Sequence, residues 1–266
     1  ALFTQTYPVV LTSATLAVNG NLDYFKRRIG FCNGSDLILD TPFDFRSQVK
    51  LYLARSMPIP SESNYNDAAA QAIRDFVDFT KGHAFVLFTN YGMLRFCADA
   101  LGPAFRNAGY QLLIHGDSLS RTAMLNEFKQ SRNGVIFGAQ SFWTGVDVPG
   151  DALSNVIITK LPFAVPNHPL IEARCDRIRE AGGRPFEEYT IPDAVLMFRQ
   201  GIGRGEQGGR QMVRRQVVEF ARTLFVVNDQ FARGIELLQH RTRRVGFAAP
   251  IPAPMDGRMP VNLPRD

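Results

Sequence analysis

The residue types best suited to chemistry stand in one short run, Phe198-Arg199-Gln200-Gly201-Ile202-Gly203-Arg204. A guanidinium stays charged at every working pH and forks onto phosphate oxygens. Gly201 and Gly203 let the backbone approach a ligand closely and adopt positive φ. The plain alternative is a helix C-terminus followed by a solvated arginine. Two other turns share this character. Thr12-Ser13-Ala14-Thr15 follows the apolar Val9-Val10-Leu11, and Thr144-Gly145-Val146-Asp147 follows Phe142-Trp143. Polar or glycine-rich turns beside apolar runs are how α/β domains bring phosphate-contacting groups to strand ends.

Ser13 and Thr15 can hydrogen-bond, but they lack the adjacent base that makes a nucleophile, and no Gly-x-Ser-x-Gly elbow occurs. A capping turn ahead of a helix is the competing reading. Asp147 can orient Arg204, accept a ribose hydroxyl, or close an Asx-turn. The loop around Gly145, rich in backbone N–H, can hold a phosphate. Trp143, the chain's only tryptophan, either stacks on a base or packs against the next helix. Thr89, Asn90 and Tyr91 end an apolar strand and are candidate contacts to the phosphates of a nucleic-acid strand. Core packing is the alternative for Tyr91. His115 also follows a strand, but His83, His168 and His240 offer no ligand spacing, so no metal site is expected.

The elements that position these residues alternate. Pro8–Leu11, Leu37–Leu39 and Val49–Leu53 read as short strands, and Asn21–Ile29 as a helix capped by Asn21 and stopped by Gly30. Asp67–Thr80, Tyr91–Ala108 (with a break near Pro103), Arg121–Gln130 and Pro192–Gln200 read as helices. Ala84–Phe88, Gln111–Ile114, Val135–Gly138, Val156–Thr159 and Leu224–Val227 read as strands, followed by a helix over Gln230–His240. Strand–helix alternation with continuous apolar strands predicts a doubly wound parallel sheet whose functional edge is the carboxyl ends of its strands. Residues 205–222 resist assignment, and 245–266 read as a poorly ordered tail.

Composition narrows the options without choosing among them. The 266 residues carry a net charge of +5, with 45% hydrophobic and 21% charged residues, as in a soluble globular protein that tolerates a polyanion. Cys32, Cys97 and Cys175 are far apart. That spacing predicts reduced thiols in a cytoplasmic protein, with no disulfide framework and no iron–sulfur cluster made by this chain. No apolar run is long enough for a membrane span. Ala1-Leu2-Phe3 leads straight into a motif, which predicts a portion of something longer. No Gly-x-x-x-x-Gly-Lys-Ser/Thr loop occurs.

Four segments, in order, resemble motifs of the DinG/XPD-type superfamily 2 helicases. Thr12–Leu16 resembles motif III and Val86–Tyr91 motif IV. Ser141–Gly150, followed by Ile157-Ile158-Thr159-Lys160-Leu161-Pro162-Phe163, resembles motif V, and Arg199–Arg204 motif VI. The resemblance spans residues 8–204. It implies a C-terminal, RecA-like motor lobe over 1–244, an α/β doubly wound, mostly parallel sheet flanked by helices. Such a lobe is P-loop NTPase-like without its own P-loop. It implies that Arg204 reaches the γ-phosphate of ATP held by an N-terminal lobe of the same protein. Gln200 then contacts nucleotide or Asp147, and Gly145, Asp147, Gly201 and Gly203 border the nucleotide. Ser13 and Thr15 couple the lobes, while Thr89, Asn90, Tyr91 and Trp143 line a single-stranded DNA track. ATP and Mg²⁺ would be bound mainly by the first lobe. Thr144 stands where relatives often have Glu. After Arg204 the sequence runs Gly205-Glu206-Gln207-Gly208-Gly209 where relatives continue with Leu-Ile-Arg, so a second motif VI arginine has no match. A non-catalytic nucleic-acid or protein-binding module built on such a lobe is the alternative.

Overall fold

Ala84–Phe88 is apolar throughout and wholly buried, the mark of a strand covered on both faces. It lies inside a sheet of six strands, β1 (Lys50–Leu53), β2 (Ala84–Phe88), β3 (Gln111–Ile114), β4 (Gly134–Ala139), β5 (Asn155–Ile158) and β6 (Thr223–Val226). Their order is β1-β6-β5-β2-β4-β3, and every described pairing is parallel. The computed structural model describes residues 9–13, 15–31, 34–39, 50–54, 57–144, 148, 152–202 and 223–226.

Strand periodicity divides the core in two. Val86, Phe88, Val135, Phe137 and Ile157 point to one face. There they meet Ile73 and Val77 of α2 (Tyr65–Thr80) and Leu94, Cys97 and Phe105 of α3 (Tyr91–Asn107). Phe85, Leu87, Ile136, Val156 and Ile158 point to the other. They meet Met124 and Phe128 of α4 (Arg121–Gln130), together with Phe142, Trp143 and the flank of a later helix. The result is helix, sheet and helix in three layers. The chain leaves β2 toward β3 on one side and β5 toward β6 on the other, so strand order reverses between β5 and β2. The carboxyl ends on either side of such a reversal are where open α/β sheets hold ligands.

A third, smaller cluster joins Val18, before α1 (Asp23–Ile29), and Tyr24 within it to Tyr189. Around it pack Ile171, Cys175 and Ile178 of α5 (Pro169–Glu180) and Val195 and Leu196 of α6 (Ile191–Ile202). A π-helical turn, Phe186–Thr190, feeds α6. Gly30 closes α1 in the left-handed region at φ 71°, as its position after Ile29 predicts.

Several expectations need correction. Residues 9–11 form no strand, and Val10 is 86% exposed. Leu37–Leu39 likewise joins no ladder and stands exposed. Apolar runs of three without a neighbouring strand have nothing to satisfy their backbone except water. Leu22, not Asn21, takes the N-cap backbone position of α1, and Asn21 Oδ1 instead accepts from Asp23 N at 3.2 Å. Pro103 does not break α3; it lies on the exposed face, where the carbonyl it leaves unpaired is open to water. Helix α5 was not anticipated. The helix expected over 230–240, the segment 205–222 and the tail 245–266 lie outside the described residues, as does Cys32. Cys97 is buried, and burial pushes its thiol up to about 12, with the Asp67 charge adding to the effect. No helix among the described residues is long and apolar enough to cross a membrane.

After Ala139 the chain folds back in a 3₁₀ turn, Gln140–Trp143, over the end of β4. A Cβ on Gly138 would lie 2.5 Å from Phe142 Cβ, so only glycine permits the reversal. Gly138→Ala is expected to destabilise the chain by about 1–3 kcal/mol. The effect should appear as a lower urea midpoint at unchanged slope. An unchanged midpoint would show that the turn can move aside freely.

Candidate functional site

The carboxyl ends of β2, β3, β4 and β5 form one polar edge. β2 ends into Thr89, which is half-buried, and Asn90, whose Oδ1 accepts from Met93 N at 2.8 Å and caps α3. The four N–H groups of a helix's first turn lack intrahelical partners, and the capping oxygen answers one of them. Tyr91 is exposed, and its hydroxyl lies 3.1 Å from His115 Nδ1 after β3. The His115 ring meets Phe142 edge-on at 4.7 Å, and Ala139 N–H points at Nδ1 from 3.4 Å. Arg121 lies over Phe142 at 5.6 Å and donates to the Thr144 carbonyl. Arg95 pairs with Asp117. Arg95 and Tyr91 both lie beside Gly116, while His115 and Arg121 meet on the Phe142 ring, so two guanidinium groups, a phenol and an imidazole share this edge. Lys160 follows β5 and sits 4.8 Å over the Tyr65 ring, its ammonium pKa lowered by burial.

Helix α6 is zipped to the segment before and within α1. Asp193 accepts from Tyr24 Oη at 3.1 Å and pairs with Arg28, which also donates to Tyr24 Oη at 3.0 Å. Burial first, then the Asp193 charge, raises the Tyr24 pKa, so the hydroxyl stays a donor. Further along α6, Arg199 donates to the Ala17 carbonyl at 2.7 Å and Gln200 Nε2 to Thr15 Oγ1 at 3.4 Å. Thr15 N–H in turn donates to Ser13 Oγ at 3.2 Å, the two hydroxyls standing 3.4 Å apart. The structure therefore brings Ser13, Thr15, Gln200 and Gly201 together. Gly145, Asp147, Gly203 and Arg204 lie outside the described residues. The partner that Gln200 holds here is Thr15.

Trp143 is the correction at this edge. It is 2% exposed, its Nε1–H donates to the Phe88 carbonyl at 2.8 Å, and its ring lies under Gly201. A side chain so enclosed presents no face to a base, so the packing alternative holds and the DNA-stacking assignment falls. Two features here lay outside the sequence expectations: the contacts of His115 with Tyr91 and Phe142, and the Tyr24–Arg28–Asp193 set. The Tyr24/Arg28 spacing of one helical turn was visible, whereas Asp193 is 169 residues from Tyr24.

Two measurements follow from this geometry. Burial lowers the His115 pKa, with the Ala139 contact opposing and the Arg121 charge adding to the lowering. The unfolded chain then binds the proton more tightly. The stability due to the neutral ring is present above the unfolded value of about 6.5 and is lost as pH falls through and below it. The urea midpoint should drop between about pH 7.5 and 5.5, and His115→Gln should flatten that drop. An identical pH profile in the variant would remove His115 from the account. Asp193→Ala should cost about 1–2 kcal/mol in the same assay, because it strips Tyr24 and Arg28 of their shared acceptor at a partly screened site.

Comparison with known proteins identifies the family and the fold. A profile of the helicase C-terminal domain matches residues 73–206. Over 196 residues the chain is 38% identical to the ATP-dependent DNA helicase YoaA of Haemophilus influenzae, covering 73% of this chain and 30% of that protein. It is 34% identical over 208 residues to the Bacillus subtilis protein named 3'-5' exonuclease DinG, covering 76% of this chain and 22% of that one. The chain thus spans less than a third of these relatives. A solved apo structure of XPD superposes with a TM-score of 0.55 at 13% identity, over 73% of this chain and 38% of that one, which speaks to the fold. With half its length matched by that profile, this chain belongs to the helicase C-terminal domain family, in the DinG/XPD type of superfamily 2, and its fold is the second RecA-like lobe.

Proposed function

We propose that the chain is the C-terminal motor lobe of an ATP-dependent DNA helicase. In this reading it supplies the arginine finger and part of the single-stranded DNA track. The observation that carries the reading is the docking of α6 on the Ser13–Thr15 turn through Gln200. Support also comes from Trp143, which bonds to the Phe88 carbonyl just before Thr89 and packs against Gly201 of α6. Its relatives' names, which specify ATP and DNA, lend support.

In the working motor an N-terminal lobe of the same protein would hold ATP. Arg204 would lie across the cleft from that lobe, where its guanidinium stabilises charge on the transferring phosphoryl group. Gln200 would stay tied to Thr15 and keep the arginine-bearing turn in register with the lobe-facing segment. Thr89, Asn90 and Tyr91 would hold backbone phosphates of one strand, with Gly145 and Asp147 beside the nucleotide. Mg²⁺ would neutralise phosphate charge, and the first lobe would hold it. No group of three or more His, Cys, Asp or Glu able to bind a metal occurs among the described residues. Closing and opening of the two lobes would step the strand along. The protein would work in the cytoplasm, and an iron–sulfur cluster, if the whole protein carries one, would belong to other segments.

The chain alone should show no ATP turnover, with or without single-stranded DNA. Mixed with the first lobe of its own protein, it should give DNA-stimulated turnover, and Arg204→Ala should reduce that turnover by roughly 10³–10⁵. Turnover by the chain alone that survives Arg204→Ala would overturn the reading. Complemented turnover indifferent to Arg204→Ala would do the same.

A further inference from the structure

Trp143 loses its expected role at the DNA track yet occupies a singular position. It is the chain's only indole, and it joins its own turn to two segments that the sequence keeps far from it and from each other. Its Nε1–H donates to the carbonyl of Phe88, 55 residues away, the last residue of β2 before Thr89 and Asn90. β4 turns away after Ala139, so this carbonyl lacks a continuing backbone neighbour on that side, and the indole takes the place of one. The ring's outer edge faces Gly201 of α6. A Cβ built on Gly201 would lie 2.9 Å from Trp143 Cε3, 3.1 Å from Cζ3 and 3.5 Å from Leu87 Cδ1. On its own segment, Trp143 ends the 3₁₀ turn, and the next residue, Thr144, is held through its carbonyl by Arg121.

The geometry points to Trp143 as a positioning residue: through Phe88 and Gly201, it carries engagement of a nucleic-acid strand at the β2 end into helix α6. The inference rests on the DNA-track reading of Thr89 and Asn90. Its physical content is stiffness. An indole has two side-chain torsions, both fixed here by burial and a hydrogen bond. Glycine has no side chain whose rotamer can absorb a displacement. A shift of the β2 end therefore passes through the ring plane to the α6 backbone, because close-packed contacts repack in steps and do not stretch. The Gln200–Thr15 contact, next to Gly201, is the first downstream contact to feel it.

The test is amide hydrogen exchange on the full 266-residue chain, with and without a fluorescein-labelled oligothymidylate at low salt. Binding is followed separately by anisotropy. In the wild type, binding should slow exchange both around Phe88–Met93 and in the last turns of α6, by about fivefold or more. Trp143→Phe removes the donor and shortens the ring. Gly201→Ala keeps the donor but forces α6 off the ring, and it serves as the second variant if Trp143→Phe fails to fold. In either, the oligonucleotide should still slow exchange at the β2 end while α6 no longer responds. Wild-type binding with a silent α6, or an α6 response that persists in both variants, would overturn the inference and leave the DNA reading standing. No anisotropy change even after the first lobe of the chain's own protein and ATP are added would instead sink the DNA reading, and the inference with it.

Discussion

Everything in this lobe depends on β2 having both faces covered. All five of its residues are buried, and its neighbours β4 and β5 bury theirs as well. A parallel sheet so enclosed can expose polar chemistry only at strand ends, where the ladder stops and backbone groups need other partners. The carboxyl end of β2 illustrates this. Leu87 O is taken by the backbone N–H and the hydroxyl of Thr159, and Phe88 O by an indole. Asn90 then answers an N–H of the next helix. The site is built from the devices that finish the sheet.

The helical layers do unequal work. α2 and α3 seal one face with Tyr65, aliphatic side chains, Cys97 and Phe105, and from the candidate site they carry Tyr91 and Arg95. The opposite layer is thinner and more polar in its connections. There α6 is held by an antiparallel series of side-chain bonds, Asp193 to Tyr24 and Arg28, Arg199 to Ala17, and Gln200 to Thr15. These bonds link the two ends of the described lobe, so the segment around Thr15 and the one leading to Arg204 share a single rigid seat.

Legibility in the sequence followed the physics of each element. β2, β4 and β5 were readable because strands buried on both faces must be apolar without interruption. α2, α3 and α4 were readable from their apolar stripes, whereas the Ser120 hydroxyl that caps α4 emerged from the structure. α5 escaped because only Ile171, Cys175 and Ile178 mark its inner side, a narrow stripe in a charged helix. Residues 9–11 and 37–39 misled because three apolar residues look alike whether paired or solvated. Among site residues, the strand-end positions Thr89, Asn90 and Tyr91 followed from the alternation itself. The fate of Trp143 did not, since a buried and an exposed indole have the same letter and only the distant Phe88 and Gly201 decide between them. The same holds for Gln200 and Thr15, which are 185 residues apart.

The lone indole has a practical corollary. Excited selectively, it is the sole emitter of its kind in the chain, shielded from water and bonded at its pyrrole nitrogen. Its emission maximum and accessibility to a quencher such as iodide are therefore an intrinsic optical gauge of how α6 is seated on the sheet, with no dye and no added label. The lobe carries its own built-in reporter at the buried contact between the β2 end and α6.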